Sequence, residues 1–71
     1  MQVRKIGFVI DGSYSDRVVG TEQIILGAER KIESIEIFDD MKNGDSCLVT
    51  YESGVKERIN LYLASLWFYK E

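Results

Sequence analysis

Residues 33–61 read ESIEIFDDMKNGDSCLVTYESGVKERINL, and the spacing of glycines and apolar residues in this stretch decides the fold. Three strand-like runs, Glu33 to Met41, Ser46 to Glu52 and Val55 to Leu61, are separated by Asn43-Gly44 and Ser53-Gly54. A two-residue turn at Asn43-Gly44 would set Ile37 against Thr50 and Ile35 against Glu52, mixing apolar and polar side chains on each face. A three-residue loop, Lys42-Asn43-Gly44 with glycine in the left-handed position, sets Ile37 against Val49, Ile35 against Tyr51 and Asp39 against Cys47. The second turn follows the same geometry. With Glu52-Ser53-Gly54 as the loop, Val55 faces Tyr51, Glu57 faces Val49 and Ile59 faces Cys47. Together the two turns build one apolar face from Ile35, Ile37, Cys47, Val49, Tyr51, Val55 and Ile59, interrupted only by Glu57. The opposite face carries Glu36, Phe38, Leu48, Thr50, Lys56 and Arg58. In this register Phe38 and Leu48 are cross-strand neighbours, an apolar pair on a wet face that asks for cover.

Upstream, residues 2–11 alternate at the period of a strand, with Ile6, Phe8 and Ile10 on one side and Val3, Lys5, Gly7 and Val9 on the other. Asp11-Gly12-Ser13 turns the chain, and Asp16 to Val19 and Gln23 to Leu26 are short strand-like pieces, the second closed by Gly27. Residues 21–31 also admit a helix capped by Thr21, with Ile25, Ala28 and Ile32 near one face, although Gly27 would cost it about 1 kcal/mol. Downstream, Ile59 to Tyr69 is apolar at nearly every position. That suits a strand buried on both faces or a buried helix, and Trp67-Phe68-Tyr69 in a row favours strand. The expected fold is therefore all-β, with one short helix at 21–31 as the alternative: a small curled antiparallel sheet or barrel of five or six strands, closed by the tail or paired through it across a dimer.

With 71 residues and no Pro- or Ser-rich linker, the chain reads as one domain spanning 1–71. A domain of this size buries only about 60% of its unfolded surface, so small folds commonly need a staple. A single cysteine and no histidine leave neither an intrachain disulfide nor a Cys/His zinc set, which makes self-association the staple expected here. No apolar run approaches the roughly 20 residues that span a bilayer. The apolar stretch near the N-terminus is too short for a signal-peptide core, so the expected compartment is the cytoplasm. The net charge of −3, with nine Lys and Arg scattered singly or in pairs, argues against a nucleic-acid surface.

The same composition narrows the chemistry. Without histidine the commonest general base is missing, and with it every Ser/His or Cys/His nucleophile. Cys47 reads as a core thiol, with Asp39 expected beside it and raising its pKa. Asp39, Asp40, Asn43, Gly44 and Asp45 fail the calcium-loop spacing, since Met41 and Thr50 fall where oxygen ligands are required. No catalytic residue, metal site or cofactor is assigned. Two binding regions are. The loop from Asp11 to Arg17 gathers Gly12, Ser13, Tyr14, Ser15 and Arg17, a set of donors, a ring and a guanidinium suited to a small anionic or nucleotide ligand. The aromatic tail offers Tyr62, Trp67 and Tyr69, with Trp67 and Tyr69 expected outward and Leu66 and Phe68 inward; Phe38 and Leu48 extend this candidate partner surface. The leading expectation is a non-enzymatic regulator or inhibitor module that binds a protein partner or itself. A nucleotide-sequestering protein is second, and a barrel that stacks single-stranded nucleic acid is third.

Overall fold

The computed structural model describes residues 1–71. It is mostly β, with eight strands: β1 (Gln2–Val3), β2 (Lys5–Ile10), β3 (Ser13–Val18), β4 (Glu22–Ile25), β5 (Ala28–Phe38), β6 (Ser46–Tyr51), β7 (Lys56–Asn60) and β8 (Leu66–Lys70). A single 3₁₀ turn, Leu61–Leu63, is the only helical element. No helix is long and apolar enough to cross a membrane. All pairings are antiparallel and form two sheets. One runs β1-β5-β6-β7 with β4 on β5, and the other runs β3-β2-β8.

The second glycine turn folds as its sequence predicts. Tyr51 N–H donates to Val55 O at 2.9 Å, Gly54 N–H donates to Tyr51 O at 2.8 Å, and Cys47 lies opposite Ile59 and Val49 opposite Glu57. Gly54 takes φ 92°, the left-handed position that a side chain resists. The first turn departs from expectation by two residues. Val49 pairs with Ile35 instead of Ile37, and Cys47 pairs with Ile37 instead of Asp39. The cause is Asp40, whose carboxylate accepts from Lys42 N–H at 2.9 Å, Asn43 N–H at 3.0 Å and Asn43 Nδ2 at 3.0 Å. Gly44 N–H then closes one helical turn onto Asp40 O at 2.8 Å, with Gly44 at φ 89°. This capped turn uses up residues that would have continued the hairpin. Because two is the period of a strand, the slip leaves every side chain on its expected face. It does separate Asp39 from Cys47, and it puts Phe38 opposite Ser46 and Leu48 opposite Glu36, so Phe38 and Leu48 are not cross-strand partners.

Residues 21–31 form a hairpin, β4–β5, and no helix. Its turn is Leu26-Gly27, at φ 54° and 78°, the same left-handed pair adopted by Asp11-Gly12 at 53° and 77°. Such turns match the right-handed twist of the strands they join. Gly27 thus ends a strand where it would have weakened a helix.

The two sheets meet at a corner where several strands bend together. Arg4 breaks the first strand into β1 and β2, so Val3 joins Ile6 and Phe8 in the core instead of pointing away from them. Arg4 N–H donates to Lys70 O at 2.8 Å and Val19 N–H to Arg4 O at 2.9 Å, which carries the ladder through the bend. Gly20 N–H to Ile32 O and Ile32 N–H to Thr21 O, both 2.9 Å, do the same between β5, just before its bulge at Glu33, and the link that joins β3 to β4. Away from this corner no strand joins β7 to β3 or β8, so the sheets stay open and do not close into a barrel.

One core of eleven buried residues fills the space between the sheets. Val3, Ile6 and Phe8 meet Ile32, Ile35, Ile37, Cys47, Val49, Tyr51, Ile59 and Leu61 there, while Val55 is half-buried against them. The apolar face read from β5, β6 and β7 is thus the core face. The tail does not run as one strand. β7 ends at Asn60, the 3₁₀ turn buries Leu61 while exposing Tyr62 and Leu63, and β8 returns along β2.

Candidate functional site

The stretch from Asp11 to Arg17 is a hairpin end and not an open loop. Only Asp11 and Gly12 turn, and Ser13, Tyr14, Ser15 and Arg17 lie in β3 opposite Ile10, Val9, Phe8 and Ile6. Strand alternation sends Ser13, Ser15 and Arg17 to the side of Ile10, Phe8 and Ile6, and Tyr14 to the other. The structure therefore does not bring the Tyr14 ring and the Arg17 guanidinium together. Arg17 is also engaged elsewhere. Its Nε and Nη2 donate to the two oxygens of Glu57, each at 3.0 Å, and its Nη1 donates to Asp16 O at 2.8 Å. The guanidinium carbon lies 5.7 Å from the Phe8 ring centre.

This pair answers the one polar residue on the apolar face. Glu57 also accepts from the Tyr51 hydroxyl at 2.8 Å, so the carboxylate is held by a guanidinium fork and a phenol. Burial pushes the Glu57 carboxyl up, but the hydrogen bonds from Arg17 and Tyr51 outweigh it and leave it below the usual carboxylate range. The hydrogen bond to Glu57 raises the Arg17 pKa. Burial, reinforced by Glu57, pushes the Tyr51 phenol up to about 12, and burial pushes the Cys47 thiol up to about 11. A thiol so raised is protonated at neutral pH and is a poor nucleophile. Arg17 and Glu57 also link β3 to β7, strands with no backbone pairing between them.

The aromatic tail is arranged opposite to expectation. Trp67 pairs with Phe8 and Tyr69 with Ile6, which places both on the inner side, where Trp67 packs half-buried on the core and its ring lies 6.4 Å from that of Tyr69. Leu66 and Phe68 pair with Val9 and Gly7 and take the outer side. Gly7 explains the inversion. A Cβ there would lie 2.5 Å from Phe68 Cζ and 2.9 Å from the Tyr14 hydroxyl, so the missing side chain is the seat of the Phe68 ring. Phe68 stacks with Tyr14 at 6.3 Å and 13°, and Lys5 Nζ stands 5.9 Å from its centre. Leu66, Phe68 and Tyr14 remain exposed. β8 pairs on one side only, with β2, and its other edge is free.

The outer face of the other sheet holds a cleft of about 350 Å³, lined by Phe38, Asp40, Asn43, Gly44, Ser46, Arg58, Asn60 and Tyr62. Two small residues, Gly44 and the buried Ser46, line it together with the rings of Phe38 and Tyr62. A Cβ on Gly44 would lie 2.8 Å from the Tyr62 side chain, so Tyr62 leans directly on the turn backbone. Arg58 lies over the Phe38 ring at 6.0 Å and donates from Nη1 to Ser46 Oγ at 3.1 Å. No carboxylate stands within 4.0 Å of it. Asp40 is held ionised, its pKa lowered by the hydrogen bonds from Asn43 and Lys42.

Two of the partner residues read from the sequence, Phe38 and Tyr62, thus come together in this cleft. Leu48 lies further along the same face, between Glu36 and Arg58, and Trp67 and Tyr69 belong to the other sheet. The β8 strand lies along β2 in the other sheet and covers neither Phe38 nor Leu48. Sequence reasoning assigned none of Arg58, Asn43, Ser46 and Asn60 to a binding site; Asn43 entered only as a turn residue and in the rejected calcium loop. The Arg58 signal was its place on the face opposite Glu57, but nothing local marked it as unpaired. No group of three or more His, Cys, Asp or Glu side chains is placed to hold a metal ion. The chain matches no protein-family model, no curated protein and no solved structure.

Proposed function

We propose that this chain is a non-enzymatic, cytoplasmic interaction module of the regulator or inhibitor type, which self-associates through β8 and presents the adjoining aromatic face to a protein partner. The observation that carries this reading is the free edge of β8, whose residues Leu66, Phe68 and Tyr69 are exposed. A strand edge with unpaired backbone groups and apolar side chains is a template for another strand, and folds that do not use such an edge usually blunt it with charge or a bulge. Here the only charge on the strand is Lys70, at its end.

The sequence of β8 also suits pairing with itself. An antiparallel two-fold centred on Phe68 sets Phe68 against Phe68 of the second copy, Trp67 against its Tyr69 and Leu66 against its Lys70. Aromatic cross-strand pairs of this kind contribute about 0.2–1 kcal/mol each relative to an Ala–Ala pair. The outcome is a continuous sheet, β3-β2-β8 extended through its mirror order in the second copy. The raised pKa of the buried Cys47 and the engagement of Arg17 and Glu57 with each other support action by surface and not by reaction.

Light scattering on the eluting protein tests this. The expected mass is twice that of the 8.2 kDa chain. Leu66→Lys, at an exposed position outside the core, should give a folded monomer by circular dichroism. A native chain that stays at 8.2 kDa at millimolar concentration, or a Leu66→Lys variant of unchanged mass, removes the proposal.

A further inference from the structure

The molecule contains a built example of what Arg58 lacks. On the inner side, part-buried between the sheets, Arg17 lies on the Phe8 ring, forks onto the Glu57 carboxylate and shares it with the Tyr51 hydroxyl. On the outer face, Arg58 lies on the Phe38 ring beside Tyr62, with Ser46 Oγ as its one protein acceptor. The arginine, the phenylalanine and a tyrosine recur. The carboxylate does not, and a cleft of about 350 Å³ occupies its side. We infer that this cleft is a binding site for a small carboxylate, held by the Arg58 fork and seated between Phe38 and Tyr62.

Three features define the ligand chemistry. A guanidinium carries five N–H donors and Arg58 spends one of them on Ser46, so enough remain for bidentate capture of a planar anion. The volume is at the lower end of the range for small-molecule sites, roughly 300–1,000 Å³, which suits an amino-acid-sized group. The ionised Asp40 in the lining, within a chain of net charge −3, opposes a phosphate dianion. It favours a ligand with one negative charge and an N–H donor of its own. A free α-amino acid and the C-terminal residue of a peptide share that chemistry, and the side-chain amides of Asn43 and Asn60 offer complementary donors and acceptors beside it.

Amide-resolved NMR titration of the full chain distinguishes these cases, using N-acetyl-L-phenylalanine as the peptide-terminus probe, free L-phenylalanine, N-acetyl-L-phenylalanine amide and phenyl phosphate. The carboxylate probes should shift the amides of Asn43, Gly44, Ser46 and Asn60, and the neutral amide should not. Stronger binding of the acetylated acid identifies a peptide terminus as the source, and stronger binding of the free acid identifies an amino acid. Arg58→Gln should weaken the preferred probe at least tenfold while leaving the remaining spectrum in place, and Arg58→Lys should recover only part of the loss. The inference fails if the neutral amide binds as well as the acid, if phenyl phosphate binds more tightly than either carboxylate, if Arg58→Gln binds unchanged, or if no probe shifts these amides at 20 mM. Because the cleft and β8 lie on different sheets, the Leu66→Lys variant should bind as the native chain does, which separates this result from the assembly reading.

Discussion

Glu57 and Arg58 are neighbours in β7, and strand alternation sends one inward and the other outward. Inward, Glu57 meets a guanidinium from β3 and a phenol from the neighbouring β6, and its pair with Arg17 bridges β3 and β7, whose backbones do not pair. Outward, Arg58 meets a ring and a serine and keeps most of its donors. The same arginine-on-phenylalanine unit therefore does two jobs. Where a carboxylate from the same chain completes it, it holds two sheets together. Where none does, it leaves a charged, open place. Burial sets the energetic difference, since a part-buried charge left alone costs more than an exposed one, which costs almost nothing.

That contrast can be broken by mutation. The largest effect is expected from Glu57→Ala, which leaves the part-buried Arg17 guanidinium and Tyr51 hydroxyl without their acceptor and should cost about 2–3 kcal/mol in urea unfolding. Arg17→Ala should cost a similar amount, and the double variant should lose much less than the sum, as coupled partners do. A smaller loss, about 1–3 kcal/mol, is expected for Gly7→Val, because its side chain would occupy the Phe68 seat and force β8 to shift. The same variant should change the assembly mass if β8 pairs with itself. Arg58→Gln should stay within about 0.5 kcal/mol of the native chain. Equal losses for Glu57→Ala and Arg58→Gln would dissolve the distinction drawn between the two sites.

The pH dependence sharpens the comparison further. The native Glu57 pKa lies below its unfolded value, so its stabilisation is present above about pH 4.3 and is lost as pH falls through the lowered native value. Acid unfolding followed by fluorescence should show Glu57→Gln losing less stability over that interval than the native chain. At the other end, Cys47 and Tyr51 are raised to about 11 and about 12. Their contribution is complete below the unfolded values, about 8.5 and 10, and disappears as pH rises through the native ones. Tyr51→Phe should flatten the upper part of that decline. Cys47 should resist a thiol reagent at pH 8 until the chain is unfolded.

Much of this was legible in the residues. Gly54, three positions after Tyr51, sets the β6–β7 register, because only a left-handed residue closes that loop. The alternation of Ile35, Ile37, Cys47, Val49, Tyr51 and Ile59 identified the core face, and it survived a wrong register because the error was one full strand period. Three things were not legible. The Asp40 side chain competed with the hairpin for backbone N–H groups, and such local competition is written in the same residues that suggest a short turn. Leu66 to Tyr69 are apolar on both faces, so alternation cannot say which side is inner; the bare backbone at Gly7 settles it from the other end of the chain. Arg17 and Glu57 stand 40 residues apart, and no local pattern pairs them.

By itself, then, the sequence determined the β6–β7 turn and the core face of β5, β6 and β7, because glycine conformation and side-chain period act over a few residues. The tertiary structure decided which edge the tail joins, which arginine finds a carboxylate and which is left open on the surface. Those outcomes depend on groups brought together across the whole chain, where burial sets what an unpaired charge costs and packing space sets where a ring can rest.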